Sequence, residues 1–519
     1  MRRFTQNSIL LLFLGGFLRF SYLTWGNPYF FHPDENNIAY AINNMNFSQW
    51  NPHFFAYGSL PIYVAFLASQ LISLGHMQFG IIIYTLRFIS AFLSFALLFL
   101  IFFVGKKFYG KTTGIIATTL AATSVGLIQF AHFGTFEMWL SFFTLLFAYS
   151  CYKLYLSVSL RNILFVSIAG GILLSIKISS LVFIPLPLLV VTYFFIRRKL
   201  SAAKMLKVSL VYSSIVFLFY CITNPFIFLD MPHAINSLSY ESSVAIGTLP
   251  VFYTQSFLHT IPLVYQLIYV FPFLLNPFVL AAFLIGLIYF CIFILREQKI
   301  QDKILLVFLV IILLSQATVF VKWTRYMVPT LPFIYLIIAR VITHFKSKKI
   351  IYGISIFLTF ISTVYAFAFF FTVYPIDSRI AASNFAQQFV KNKTAIIEPY
   401  DLGTMAFTNI FPNATVINLY DLDTNVVIQQ QLQASLKTSQ IFLSPSQRLW
   451  STRMQNKNDF PLGNIFYRKL FDGSLGYKII YQTPCNFWCT LVYMGNPATH
   501  VEATASVFDH PVVTILKHE

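Results

Sequence analysis

Phe31-His32-Pro33-Asp34-Glu35-Asn36-Asn37 interrupts a chain that is otherwise almost entirely apolar. It follows the first apolar run, residues 8–25, and sets two adjacent carboxylates beside an imidazole and a proline. Charge so close to a bilayer is costly, and where it persists it usually has a function. Adjacent carboxylates suit general-base chemistry: one takes a proton while the other orients it or raises its pKa by repulsion. They also suit a local role, because acids are favoured at the start of a helix and residues 37–43 read as one. The rest of the chain has to decide between a membrane-embedded site and a capped helix.

Hydrophobic residues make up 57% of the 519 and charged residues only 10%, against about a quarter charged in a soluble domain. Repeated apolar runs of about 20 residues indicate an α-helical polytopic membrane protein. The 60 Phe and 29 Tyr suit lipid-facing surfaces and interfacial belts. A net charge of +18 would fit a nucleic-acid binder. Here, however, Lys and Arg fall in short loops between apolar runs, where membrane orientation requires them, and no nucleic-acid partner is expected. The first run reads as a retained span, since no small-residue cleavage site follows it.

Spans are expected at residues 8–25, 81–104, 113–130, 136–155, 208–229, 273–295 and 350–372, with two more ending at 321 and 344. The run 163–196 is too long for one crossing and holds Lys177 in its middle, so it splits there into two. Runs 60–74 and 261–269 are short and read as surface or re-entrant helices. The lysine-rich loops at 106–111, 153–161, 197–207, 296–303 and 346–349 then share a side with the N-terminus. The result is about eleven spans, N-inside and C-outside, in a cell (plasma) membrane. This topology gathers Asp34, Glu35, Arg87, His132, Glu137, Lys177, Glu241, Lys322 and Arg325 at the outer face.

The membrane domain is expected to occupy residues 1–373, with outer loops at 26–80 and 230–272. Residues 374–519 read as an extracytoplasmic α/β domain. Runs 395–398, 415–419, 440–443, 477–483, 490–494 and 512–516 have strand character, and 375–391 and 424–436 helical character. Cys485 and Cys489 suit a disulfide if this part lies outside the cytoplasm; a metal pair would need a second Cys or His pair. Cys151, Cys221 and Cys291 lie in apolar runs as packing residues. Asn46, Asn392 and Asn413 head glycosylation sequons.

Among the charges, Lys177 stands out. It either snorkels to the interface or serves as a phosphate or carboxylate ligand. Lys322 and Arg325, three apart, would share a helix face and grip one anion together, and Arg87 adds a further cation. Cations facing two carboxylates suit a phosphorylated lipid and an acceptor hydroxyl, because a phosphate leaving group needs fixed positive charge. Glu137 reads as an interfacial acid. His32 and His132 either hydrogen-bond locally or hold a divalent metal with Asp34.

The chain resembles the GT-C glycosyltransferases of the protein O-mannosyltransferase and aminoarabinose transferase branch (family 39-like). The resemblance rests on His32-Pro-Asp-Glu-Asn-Asn-Ile-Ala-Tyr40, Gly134-Thr-Phe-Glu-Met138, Gly170-Gly-Ile-Leu-Leu-Ser-Ile-Lys177 and Arg325-Tyr-Met-Val-Pro-Thr-Leu-Pro-Phe333. Asn224-Pro-Phe226 through Glu241 and Gly247 fits as well. In the tail, Ser444-Pro-Ser-Gln-Arg448, Leu470 to Gly476 and Val507-Phe-Asp-His-Pro511 resemble prokaryotic members. The loop 230–259 is too short for the domain that eukaryotic protein mannosyltransferases insert there.

The resemblance implies transfer of a sugar from a polyprenyl-phosphate donor, in the membrane lipid, to a hydroxyl of a protein or lipid-linked glycan, with inversion. It makes Asp34 the general base and Glu35 its support. Lys177 and Arg325 would hold the donor phosphate, assisted by Arg87 and Lys322, and His32, Glu137 and Glu241 would lie at the substrate site. No obligatory cofactor is implied; a divalent metal has no support from the sequence. Two other readings fit a many-span chain with an intramembrane lysine and a polar tail. One is a transporter or flippase of a lipid-linked sugar, and the other a membrane scaffold presenting the tail.

Overall fold

The computed structural model describes residues 2–519, with side chains from residue 11. In lipid every backbone polar group must be satisfied within its own segment, so apolar runs of this length fold as helices. Six helical stretches are long and apolar enough to cross a membrane: Phe79–Tyr109, Ile178–Ile196, Ala202–Thr223, Pro277–Glu297, Thr324–His344 and Lys348–Phe389. Lys111–Ala122 and Val125–His132 form a seventh if taken together, bent by 57° at their junction. There Ser124 restarts the helix as an N-cap, its Oγ accepting from the Leu127 N–H at 3.2 Å.

The remaining expected spans fold as Arg2–Phe20, Glu137–Leu156, Leu160–Ile176 and Ile300–Gln316. By length and composition, six helices, or seven with the bent pair, are long and apolar enough to cross among the described residues, against the eleven spans expected. Leu160–Ile176 and Ile300–Gln316 have 17 residues each, short for a crossing that runs straight through the bilayer. Phe88, Phe92 and Phe99 on one helix, and Ile356, Phe357 and Phe360 on another, point outward and exposed. An apolar exterior over many helices makes this a multi-pass membrane protein.

The long helical stretch at 348–389 breaks between Lys348–Val373 and Ser378–Phe389. Beyond it lies a five-stranded sheet: β1 (Ala395–Ile397), β2 (Thr415–Val416), β3 (Ile441–Ser444), β4 (Tyr477–Gln482) and β5 (Thr514–His518), in the order β2-β1-β3-β5-β4. β1 pairs parallel with β2 and β3; β5 pairs antiparallel with β3 and β4. Alternate residues face opposite sides. Phe442 joins one core with Leu516 and Tyr467, while Ile441 and Leu443 join another with Ala382 and Phe407. Both faces of β1 and β3 are covered, which is why these two strands are almost continuously apolar.

Of residues 490–494, expected as a strand, 490–493 instead belong to the helix Phe487–Tyr493 and Met494 caps its end. Asn486 caps it, its side chain accepting from the Cys489 N–H at 3.1 Å, and Cys485 and Cys489 are joined in a disulfide. The loop expected at 230–272 is also helical, over Met231–Ile246.

Candidate active site

The stretch at 31–37 lies between the two domains. Phe31 packs into the core of the α/β domain with the Arg379 guanidinium 4.0 Å above its ring. The His32 ring lies 4.5 Å from Phe133 of the membrane domain and 4.4 Å from Phe508 of the α/β domain. His32 is the N-cap of the helix Pro33–Asn43, with its Nδ1 accepting from the Glu35 N–H at 3.4 Å. Capping therefore falls to His32, and Asp34 and Glu35 occupy the first helical turn instead of preceding it. Burial holds the His32 imidazole below its ordinary range.

The two acids diverge. Glu35 is fully buried against an equally buried Arg87, with Nη2 2.7 Å from Oε2, and its Oε1 accepts from the Gly134 N–H at 2.6 Å. Gly134 has no room for a side chain: a Cβ would lie 2.7 Å from that of Leu86. Arg87 spends its other donors on the Leu23 and Trp25 carbonyls, at 2.9 and 2.8 Å, and stacks 4.2 Å from the Trp25 ring. The expectation that Glu35 supports Asp34 and that Arg87 holds phosphate therefore needs correction. Their hydrogen bonds go to each other and to backbone, a closed set that anchors the first outer loop.

Asp34 turns the other way and pairs with Nη1 of Arg325. The same Nη1 donates to the Tyr57 hydroxyl at 3.3 Å. Burial on its own would raise the Asp34 carboxyl, but Arg325, with His32, Arg448 and Lys177, outweighs it and holds the group below the ordinary carboxylate range. The Arg325 guanidinium lies 4.4 Å from the Trp323 ring, and its Nε is buried without a partner.

Arg325 is the second residue of a 3₁₀ segment, Thr324–Thr330, while Lys322 precedes it outside any helix. The two therefore share no helix face, and Lys322 donates to the Phe320 carbonyl at 2.8 Å. This corrects the expected joint grip on one anion.

Lys177 occupies the extended break between Leu160–Ile176 and Ile178–Phe183. A helix end leaves carbonyls unsatisfied; here the Gly58 N–H, from the first outer loop, meets the Ile176 carbonyl at 3.0 Å. The Lys177 ammonium sits over two aromatic rings, 4.8 Å from Tyr326 and 5.5 Å from Tyr57. It makes no ion pair among the described residues.

Three cavities meet at Arg325. A narrow inner one of about 40 Å³ is lined by Lys177, Glu137, Ser180, Arg325 and Tyr326. An outer one of about 440 Å³ is lined by Asp34, Tyr57, Glu241, Arg325 and, from the α/β domain, Asp401 and Arg448. A slit between them holds His32, Asp34, Glu137 and Arg325. The buried Oε2 of Glu137 has no partner.

The structure thus brings together Asp34, Lys177, Arg325, Glu137, His32 and Glu241. Arg87, Glu35 and Lys322 line none of these cavities. His132 bridges the Ile128 and Ser21 carbonyls at 2.8 Å each and stacks on Tyr374, away from Asp34. No group of three or more His, Cys, Asp or Glu that could hold a metal ion occurs among the described residues. Sequence reasoning missed Asp401 and Arg448, paired at 2.8 Å. Arg448 fell in a stretch noted for resemblance, but nothing local marks it as facing a membrane site.

No protein-family model and no curated protein matches the chain. Among solved structures, it is similar to the Archaeoglobus fulgidus oligosaccharyltransferase in the apo form, with TM-score 0.55, 12% identity, 98% of this chain covered and 88% of that one. The archaeal oligosaccharyltransferase AglB from the same organism, in complex with an inhibitory peptide and a dolichol-phosphate, gives TM-score 0.55 at 11% identity with the same coverage. ArnT from Cupriavidus metallidurans bound to undecaprenyl phosphate gives 0.48 at 11% identity, covering 98% of both chains. At such identities the likeness is one of fold: the chain shares the fold of these archaeal oligosaccharyltransferase structures.

Proposed function

We propose that this protein is a membrane glycosyltransferase that moves a sugar from a polyprenyl-phosphate donor to an acceptor hydroxyl on the extracytoplasmic face. The observation that carries the reading is the position of Arg325. It lines the inner cavity together with Lys177 and the outer one together with Asp34, its ion-pair partner. A phosphate in the inner cavity would meet Lys177 and the unpartnered Nε of Arg325. An acceptor in the outer cavity would meet Asp34. A fold neighbour solved with a dolichol-phosphate supports a lipid-phosphate donor.

In the proposed step, Asp34 takes the acceptor's hydroxyl proton. The acceptor oxygen bonds to the anomeric carbon from the face opposite the phosphate, which gives inversion. The bond from that carbon to the phosphate oxygen breaks, and polyprenyl phosphate leaves with the electron pair. Lys177 and Arg325 stabilise its added charge. A phosphate on the Nε of Arg325 shares the guanidinium charge with Asp34 and adds negative charge beside it, so donor binding strengthens the carboxylate as a base. Activation of the acceptor is thereby tied to a loaded donor. The two cations serve the leaving group, so the scheme routes no step through a metal, and turnover is expected to persist in a chelator.

The extracytoplasmic assignment rests on the lysine-rich loops, which positive-inside topology places on the opposite side, and it is supported by the Cys485–Cys489 disulfide. The test is transfer from radiolabelled polyprenyl-phosphate sugars by the purified protein in proteoliposomes. Asp34→Asn is expected to lose transfer by about 10²–10⁴-fold while retaining donor binding. Lys177→Met and Arg325→Met are expected to weaken donor binding. Translocation of the labelled lipid without transfer would replace this reading with a flippase.

A further inference from the structure

We infer that the outer cavity is built for a saccharide, so that the hydroxyl activated by Asp34 belongs to a glycan and the α/β domain supplies one wall of its binding site. The inference rests on the glycosyltransferase reading and identifies the acceptor class within it. At about 440 Å³ the cavity falls among small-ligand sites.

Its walls are rich in aromatic rings. Tyr57, Tyr253 and Trp323 come from the membrane domain, and Tyr400 and Phe508 from the α/β domain. Between the rings stand a few charged groups: Asp34, Glu241, Arg325, Asp401 and Arg448. A pyranose has the complementary surface. One face is a patch of C–H bonds that lies against aromatic rings, and its rim is a set of hydroxyls that both donate and accept. Carboxylates accept from such hydroxyls and a guanidinium donates to them, with charge-assisted strength.

The second domain contributes a preformed polar corner. Arg448 Nη1 pairs with Asp401 Oδ1 at 2.8 Å, and Ser446 Oγ donates to the other carboxylate oxygen at 2.8 Å. Arg448 is 8% exposed, and its Nε has no partner. A buried donor without a partner on a cavity wall is the feature a ligand hydroxyl would complete. An extended peptide is the competing acceptor. It would be expected to pair with a free sheet edge, but the edge strands β2 and β4 contribute nothing to the cavity wall.

The experiment uses the full chain in proteoliposomes with a panel of radiolabelled undecaprenyl-phosphate hexoses and pentoses. Octyl glycosides and octyl disaccharides are offered as one acceptor set, and Ser/Thr-rich peptides as the other. Transfer to the glycosides and not to the peptides is expected. Arg448→Gln and Tyr253→Leu should each raise the glycoside KM at least tenfold and leave donor binding unchanged. Tyr253→Phe, which keeps the ring, should restore KM; Tyr253 is half-buried with its hydroxyl only on Tyr240, so the fold survives the change. Transfer to peptides alone, or an unaltered glycoside KM in both variants, would overturn the saccharide site while the donor chemistry stands. Failure of the wild type to bind any labelled donor would overturn the reading beneath it.

Discussion

Asp34 and Glu35 are adjacent, share a charge and share a helical turn, yet their surroundings give them opposite uses. Glu35 meets a buried guanidinium and a backbone N–H, so nothing is left for substrate. Asp34 faces a cavity with one partner, Arg325, whose charge a phosphate can share. In the free protein Asp34 is held below the ordinary carboxylate range, and the base works only when ionised. The acid limb of kcat/KM, which reports the free enzyme, should therefore fall below the usual carboxylate pKa, and activity should persist as pH drops through about 4. Arg325→Gln should shift that limb upward in the residual activity, as a pH profile would show. For the buried pair, Glu35→Leu leaves Arg87 charged and unpaired, and a loss of about 3–5 kcal/mol is expected. Thermal unfolding in detergent should report it, with Glu35→Gln milder. That charge clusters at one face was legible in the sequence, because a bilayer makes each such residue conspicuous. Which acid pairs with which cation was not, since Arg87 is 52 residues from Glu35 and the pairing is set by helix packing.

At the level of elements, breaks in the helices position the chemistry. Lys177 stands at a helix end, and the sequence revealed that break because the apolar run is too long for one crossing. Residues 322–325 were misread as one helix face, because the 3₁₀ segment that starts at Thr324 has the same apolar flanks as an α-helix. The 490–494 run was misread for a similar reason: its β-branched composition favours strand, but the Asn486 cap turns it into a helix. Gly58 is the joint between the first outer loop and the Lys177 break. A Cβ there would lie 2.0 Å from the Ser175 carbonyl oxygen, and backbone cannot yield that distance. Gly58→Ala should push the loop off the helix end and displace both Tyr57 and Lys177. The expected result is at least tenfold weaker donor binding in a protein that still inserts, measured by filter retention of labelled donor.

At the level of the whole molecule, the α/β domain is keyed into the membrane domain where the site is built. Glu502 accepts from the backbone N–H and hydroxyl of Thr324, the residue before Arg325, at 2.9 and 2.8 Å. Asp509 accepts from Gln129 of the membrane domain at 3.0 Å, fully buried, with its Oδ1 unpartnered. Burial pushes the Asp509 carboxyl up to about 7. The folded protein thus prefers this acid protonated, whereas the unfolded chain releases the proton near 3.9. Below about 4 both states hold the proton and the stabilisation is fully present. As pH rises toward 7 the unfolded state binds fewer protons than the folded one, so the stabilisation is progressively lost. The domain junction is therefore expected to weaken between about pH 4 and 7, with no further change above that window. Asp509→Asn keeps an acceptor for Gln129 and fixes the group as neutral. It should flatten this part of the pH dependence and raise the thermal midpoint at pH 8. Unfolding scans of both proteins across the window provide the check, and parallel slopes would show that another group governs the junction.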